Sequence, residues 1–168
     1  KRAVTINNGF VMRAWYDITL GDLEGNARRA DAAGVRESQE SINALIEREG
    51  NRGIPAGKVV LAGFSQGGAI ALQTALRQHA RLAGVLALST YLPLSTALAK
   101  ERAAANSELP IFMAHGRFDN MIPLQRAAQS RDLLQALGYA VEWREYPMPH
   151  SVCPEEIADI AAFLLRIL

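Results

Sequence analysis

Lys58 to Ala71 reads KVVLAGFSQGGAIA. The apolar, β-branched run Lys58–Ala62 predicts a strand, and Ala69-Ile70-Ala71-Leu72 predicts the opening turns of a packed helix. Between them lies Gly63-Phe64-Ser65-Gln66-Gly67-Gly68, too short for anything but a tight turn. In a strand–turn–helix setting, Gly63-x-Ser65-x-Gly67 is the pattern of a nucleophile elbow: a serine at the tip of a strained turn, with glycines two residues either side to relieve crowding. Ser65 then stands by a helix N-terminus, where the Gln66 backbone N–H points at negative charge forming beside the hydroxyl. The same glycines would also suit close strand–helix packing around a buried serine, so the rest of the chain has to decide.

Beyond the elbow the pattern alternates. A helix is expected from Gln66 to His79, a strand from Ala83 to Leu88, a helix from Ala97 to Ala105 and a strand from Pro110 to His115. A helix over Leu124–Leu137, stopped by Gly138, leads to a strand over Ala140–Tyr146. The last helix starts at Pro154 with Glu155 and Glu156 in its first turn, and Ile157, Ile160, Ala161, Leu164 and Leu168 share one face. Upstream of the elbow, Ala33–Glu49 predicts an amphipathic helix, Val4-Thr5-Ile6 a short strand and Asn7-Asn8-Gly9 a turn. Phe10–Ile18 (FVMRAWYDI) has no clean period and reads as a loop over the body of the domain, either ordinary packing or one wall of an apolar pocket. Strands alternating with helices imply an α/β fold, a mostly parallel sheet with helices on both faces. Ligands bind beyond the carboxyl ends of such strands.

That rule selects partners for Ser65. A serine hydroxyl needs a base to take its proton, and the base needs a carboxylate to hold its tautomer. On this type of scaffold the order is serine, acid, histidine. Of His79, His115 and His150, only His150 follows an aspartate that itself follows Ser65. Asp132 falls inside a predicted helix, whereas Asp119 follows the strand Pro110–His115 in the loop HGRFDN. His150 follows the strand Ala140–Tyr146 in the loop Pro147-Met148-Pro149-His150. Three strand ends thus deliver the required residue types in the required order. His79 reads as a solvated helix end, and His115, beside Gly116, as a residue that shapes the Asp119 loop. No His, Cys or acidic spacing suggests a metal site.

Composition excludes other classes. With 168 residues and 49% hydrophobic content the chain can bury a core as one domain. Lys and Arg total 18 against 17 Asp and Glu, and no basic run interleaves with aromatics, so neither nucleic acid nor an anionic membrane is implied as a partner. No apolar stretch reaches transmembrane length. The single cysteine, Cys153, permits no intrachain disulfide and fits a reducing, cytoplasmic compartment. It reads as a small packed side chain, since no glycine-flanked turn presents it as a nucleophile.

The runs LAGFSQGGAIAL, LALSTYLPL, HGRFDNMIP and YPMPHSV are together similar to the bacterial carboxylesterases of the phospholipase/carboxylesterase family, relatives of the acyl-protein thioesterases. The resemblance implies an α/β-hydrolase fold, Ser65, Asp119 and His150 as the catalytic triad, the Gln66 N–H as one oxyanion donor, and no cofactor. It implies a small-molecule ester or thioester substrate with an apolar acyl part, and often a homodimer. It also places Met12, Trp15, Tyr91, Leu92, Met121 and Ile122 near the acyl pocket. Two features depart from the family. Pro149 stands immediately before His150, where the family usually has glycine, which would shape that loop differently. The family's His-Gly-rich loop, source of a second oxyanion N–H, has no counterpart here, and one short strand precedes the elbow. The expectation is therefore a single α/β-hydrolase domain over residues 1–168, N-terminally incomplete and lacking its N-terminal strands. The expected activity is a carboxylesterase for short to medium acyl groups. The alternatives are an acyl-protein thioesterase or lysophospholipase for longer chains, and a catalytically silent binding protein on the same fold.

Overall fold

The computed structural model describes residues 1–18 and 31–168. Four strands form one parallel sheet in sequence order: β3 (Val60–Phe64), β4 (Gly84–Leu88), β5 (Ile111–Gly116) and β6 (Val141–Tyr146). Each consecutive pair is joined through a helix, so each connection is the crossover that parallel strands require. A separate antiparallel hairpin, β1 (Arg2–Val4) and β2 (Phe10–Met12), pairs Val4 with Phe10. Its turn contains Asn8 and Gly9, both at positive φ. The expected strand at Val4–Ile6 is thus displaced, with Thr5–Asn7 forming a 3₁₀ turn, and the first residues of the expected loop Phe10–Ile18 are a strand. Alternation is hard to read there because Phe10, Val11 and Met12 are all exposed.

The period of two along the inner strands sorts the core into two faces. Val85 and Ala87 of β4, with Ile111 and Met113 of β5, pack against Leu72, Ala75 and Leu134. These come from α2 (Gln66–Ala75) and α4 (Leu124–Ala136). Ile46 of α1 (Ala32–Asn51) joins the same layer. Leu86, Phe112 and Ala114 point the other way, onto Phe163 of α5 (Pro154–Ile167). β4 and β5, buried on both faces, read as continuous apolar runs for this reason. Cys153 packs at the edge of the second layer and N-caps α5. The short helix α3 (Ser95–Glu101) ends well before Ala105, because Arg102 and Ala103 are extended and a separate 3₁₀ turn follows. α2 also stops short of His79, at Ala75. The elbow strand runs from Val60 through Gly63 and Phe64, later than the apolar run alone suggests, because Lys58 closes a 3₁₀ turn.

Candidate active site

The turn that ends β3 carries the first reactive group. Ser65 sits at φ 54° and ψ −123° as the N-cap of α2, a conformation that costs a non-glycine residue of order 1–3 kcal/mol. Its amide donates to Leu88 O at 2.8 Å, tying the turn to the end of β4. The glycines explain how the turn closes. A Cβ on Gly63 would overlap the carbonyl group of Gly67, and one on Gly68 would lie 2.8 Å from Gly63 O. Gly67 itself has room, its nearest neighbour being Trp15 Nε1 at 3.7 Å. The required pair is therefore Gly63 and Gly68, not the glycine two residues after the serine.

The ends of β5 and β6 carry the second and third groups. Past the sheet the two strands stay zipped: Arg117 N donates to Tyr146 O at 2.8 Å and Phe118 N to Met148 O at 3.1 Å. A Cβ on Gly116 would overlap the carbonyl oxygens of Met148 and Pro149, so the His150 loop crosses directly over Gly116. Asp119, its carboxylate buried, is the focus of this region. Its Oδ1 accepts from the amides of Met121 at 2.8 Å and Ile122 at 2.9 Å, while Oδ2 accepts from His150 Nδ1 at 2.7 Å. Pro149 does not keep His150 from Asp119, since the loop tightens after it through Ser151 N to Pro149 O at 2.8 Å. The Phe64 ring lies against the His150 ring, with centroids 4.7 Å apart. His150 is thereby held beside the residue that precedes Ser65.

His115 is fully buried beneath this loop. Its Nε2 lies 2.9 Å from Ile122 O, an acceptor only, so Nε2 carries the proton. Asp119 Oδ2 is 3.3 Å away from the same nitrogen. Burial lowers the pKa of His115, the Ile122 carbonyl opposing it, so the ring is neutral and braces the Asp119 turn. Nδ1 has no partner among the described residues.

Gln66 does more than offer its backbone N–H. Its side-chain Oε1 accepts from Trp15 N at 2.8 Å and its Nε2 donates to Tyr16 O at 2.8 Å. Ser38 Oγ donates to Trp15 O, so the segment Trp15–Tyr16 is clamped between α2 and α1. Two cavities meet at Ser65. The wider, about 540 Å³, is lined by Arg13, Trp15, Phe64 and Gln66. The narrower, about 40 Å³, is apolar and bounded by Ile6, Tyr16, Ile18, Tyr91, Met121 and Ile122. Of the six expected pocket residues, Trp15, Tyr91, Met121 and Ile122 line these two cavities. Leu92 and Met12 line neither. Leu92 is fully buried in the main core, because Ser130 Oγ holds its amide and turns the chain inward after Tyr91. Met12 lies on the exposed hairpin, its sulfur against Asn7 Nδ2. Tyr16 and Ile18 lie in the segment Phe10–Ile18, which the sequence allows as a pocket wall without marking which of its residues form it, whereas Ile6 carries no sequence signal for the site. Among the described residues no cluster of His, Cys, Asp and Glu could hold a metal ion.

This arrangement has counterparts. A family model described as Phospholipase/Carboxylesterase matches residues 1–168. The chain belongs to that family. The phospholipase/carboxylesterase family is one of serine hydrolases, and curated relatives of this member include acyl-protein thioesterase 1 of Neurospora crassa, 43% identical over 98% of this chain and 69% of that protein. Acyl-protein thioesterase 1 of Gibberella zeae is 39% identical, covering 98% of this chain and 72% of that protein. Among solved structures, Arabidopsis thaliana SOBER1 superposes with a TM-score of 0.88 at 27% identity, covering 98% of this chain and 79% of that one. Zea mays acyl-protein thioesterase 2 gives 0.84 at 26% identity, covering 98% and 77%. The α/β-hydrolase fold follows from these. The bacterial carboxylesterase resemblance holds at the level of the family, while both curated relatives named here are fungal thioesterases.

Proposed function

We propose that this chain is a serine hydrolase that cleaves acyl thioesters and esters through an acyl-Ser65 intermediate. The observation that carries the reading is the Asp119 Oδ2 to His150 Nδ1 hydrogen bond of 2.7 Å at the strand ends next to a serine in strained elbow geometry. With Nδ1–H fixed on Asp119, the His150 lone pair is on Nε2, the nitrogen that accepts a proton from the serine. Ser65 Oγ attacks the acyl carbonyl, and His150 takes its proton and returns it to the departing thiolate or alkoxide. Water, activated by the same ring, then releases the acid. The Gln66 N–H faces the oxyanion.

Thioesters are favoured over simple esters as the natural substrate class by the names of the curated relatives, which are acyl-protein thioesterases. The reading as a short-chain carboxylesterase draws on a different observation, the small size of the apolar cavity beside Ser65. The test is hydrolysis of a butanoyl thioester and p-nitrophenyl butanoate by the protein and by Ser65→Ala. The expected result is turnover of both, lost by at least about a thousandfold in the variant. Equal rates in the two proteins would overturn the assignment, and turnover of the oxygen ester alone would return it to a carboxylesterase.

A further inference from the structure

We propose that the hydrogen-bonded pair Tyr16–Tyr91 is the end wall of the acyl site and restricts this hydrolase to short acyl groups. This rests on Ser65 as the nucleophile. The two hydroxyl oxygens are 2.8 Å apart and both rings are almost completely buried. Both rings line the apolar cavity that Ser65 also lines, together with the aliphatic Ile6, Ile18 and Ile122. An acyl chain running from Ser65 into this cavity meets hydrocarbon along its length and a pair of phenols at its end. At about 40 Å³ the cavity is small beside the wider one of about 540 Å³ at the same serine, which suits a short acyl group.

The wall is not a loose flap. Each tyrosine is anchored by a separate region of the fold. Tyr16 is held through its carbonyl, which accepts from Gln66 Nε2 at 2.8 Å. Tyr91 lies beneath the Arg126 guanidinium, 5.1 Å from the ring centroid, and the next residue, Leu92, is fixed by Ser130 Oγ at 2.9 Å. A longer chain would have to push apart a pair of rings that α2 and α4 hold independently. The pair therefore acts on specificity by contact with the acyl terminus.

The experiment is kcat/KM for p-nitrophenyl acetate, butanoate, octanoate and palmitate with the protein, Tyr91→Phe, Tyr16→Phe and Tyr91→Ala. A fluorophosphonate labelling time course accompanies each. The protein is expected to favour butanoate over octanoate by at least about tenfold, about 1.4 kcal/mol. In Tyr91→Ala the octanoate-to-acetate ratio should rise at least about tenfold. The phenylalanine variants keep the volume and lose the bond, and their ratio should rise by a smaller factor; they also keep the test decisive if Tyr91→Ala fails to fold. A protein that labels at Ser65 but prefers palmitate, or variants that label while the ratio stays flat, would overturn the end wall and leave the nucleophile standing. Failure of the unmodified protein to label would overturn both.

Discussion

At the scale of single residues, the carboxylate of Asp119 has the most to do. It accepts two backbone amides on one oxygen and the His150 Nδ1–H on the other, so it fixes its own loop and the histidine tautomer together. Asp119→Asn can present an N–H to His150 in place of an acceptor. That would turn the imidazole to the wrong tautomer, and kcat should fall by about 10³–10⁴ in steady-state assays while the protein stays folded. Gln66 is the second informative residue. Replacing it by Met keeps the length but removes both bonds to the Trp15–Tyr16 backbone. A loss of about 2 kcal/mol is expected, a fall in Tm of roughly 4–8 °C by calorimetry. An unchanged Tm would mean that water takes over both bonds without cost. The roles of Ser65, Asp119 and His150 can be read from residue type, chain order and strand ends alone. The side-chain role of Gln66 cannot, because its partners lie 50 and 51 positions away and offer only backbone atoms, which leave no signature in residue identity.

At the scale of elements, the elbow makes a sharp prediction about its glycines. Gly63→Ala drives a methyl group into the Gly67 backbone, where nothing flexible can yield, and should abolish soluble expression or lower Tm by more than about 10 °C. Gly67→Ala meets only an ordinary contact with Trp15, inside a helix where alanine is favoured, and should stay within about 1 kcal/mol of the parent. Thermal melts of the two variants check this, and equal destabilisation would contradict the turn as described. The pattern Gly-x-Ser-x-Gly marks both positions alike; only the path of the backbone shows that Gly63 and Gly68 are the pair in contact. The same distinction holds along the chain. β4, β5 and α2 are legible because burial leaves uninterrupted apolar runs, and α5 because one face is apolar. The hairpin β1–β2 is not, since its exposed residues carry no alternation and its pairing partners lie across a turn.

At the scale of the whole molecule, a buried carboxyl in the first turn of α5 should set some of the pH dependence of stability. Glu156, in the first turn of α5, is fully buried and its oxygens have no hydrogen-bond partner among the described residues. Burial pushes its pKa up to about 7, against the pull of the Cys153 backbone. The folded chain therefore keeps a proton that the unfolded chain has released above about pH 4.3, so this group's contribution declines from there to about pH 7 and is flat beyond. His115 acts in the opposite sense: its lowered pKa costs stability as pH falls below about 6.5. Comparing Glu156→Gln with the parent cancels the His115 effect. The two should melt alike at pH 4, and the variant should be more stable by about 5–10 °C at pH 8. A constant difference across that range would show that Glu156 is ionised throughout. The proposed hydrolysis depends on a nucleophile at Ser65 raised by the elbow and served by His150. Intact mass after treatment with a fluorophosphonate tests it most directly. A single adduct is expected on the parent protein, none on Ser65→Ala and markedly slower labelling on His150→Ala. A parent that stays unlabelled, or an adduct that survives Ser65→Ala, would contradict it.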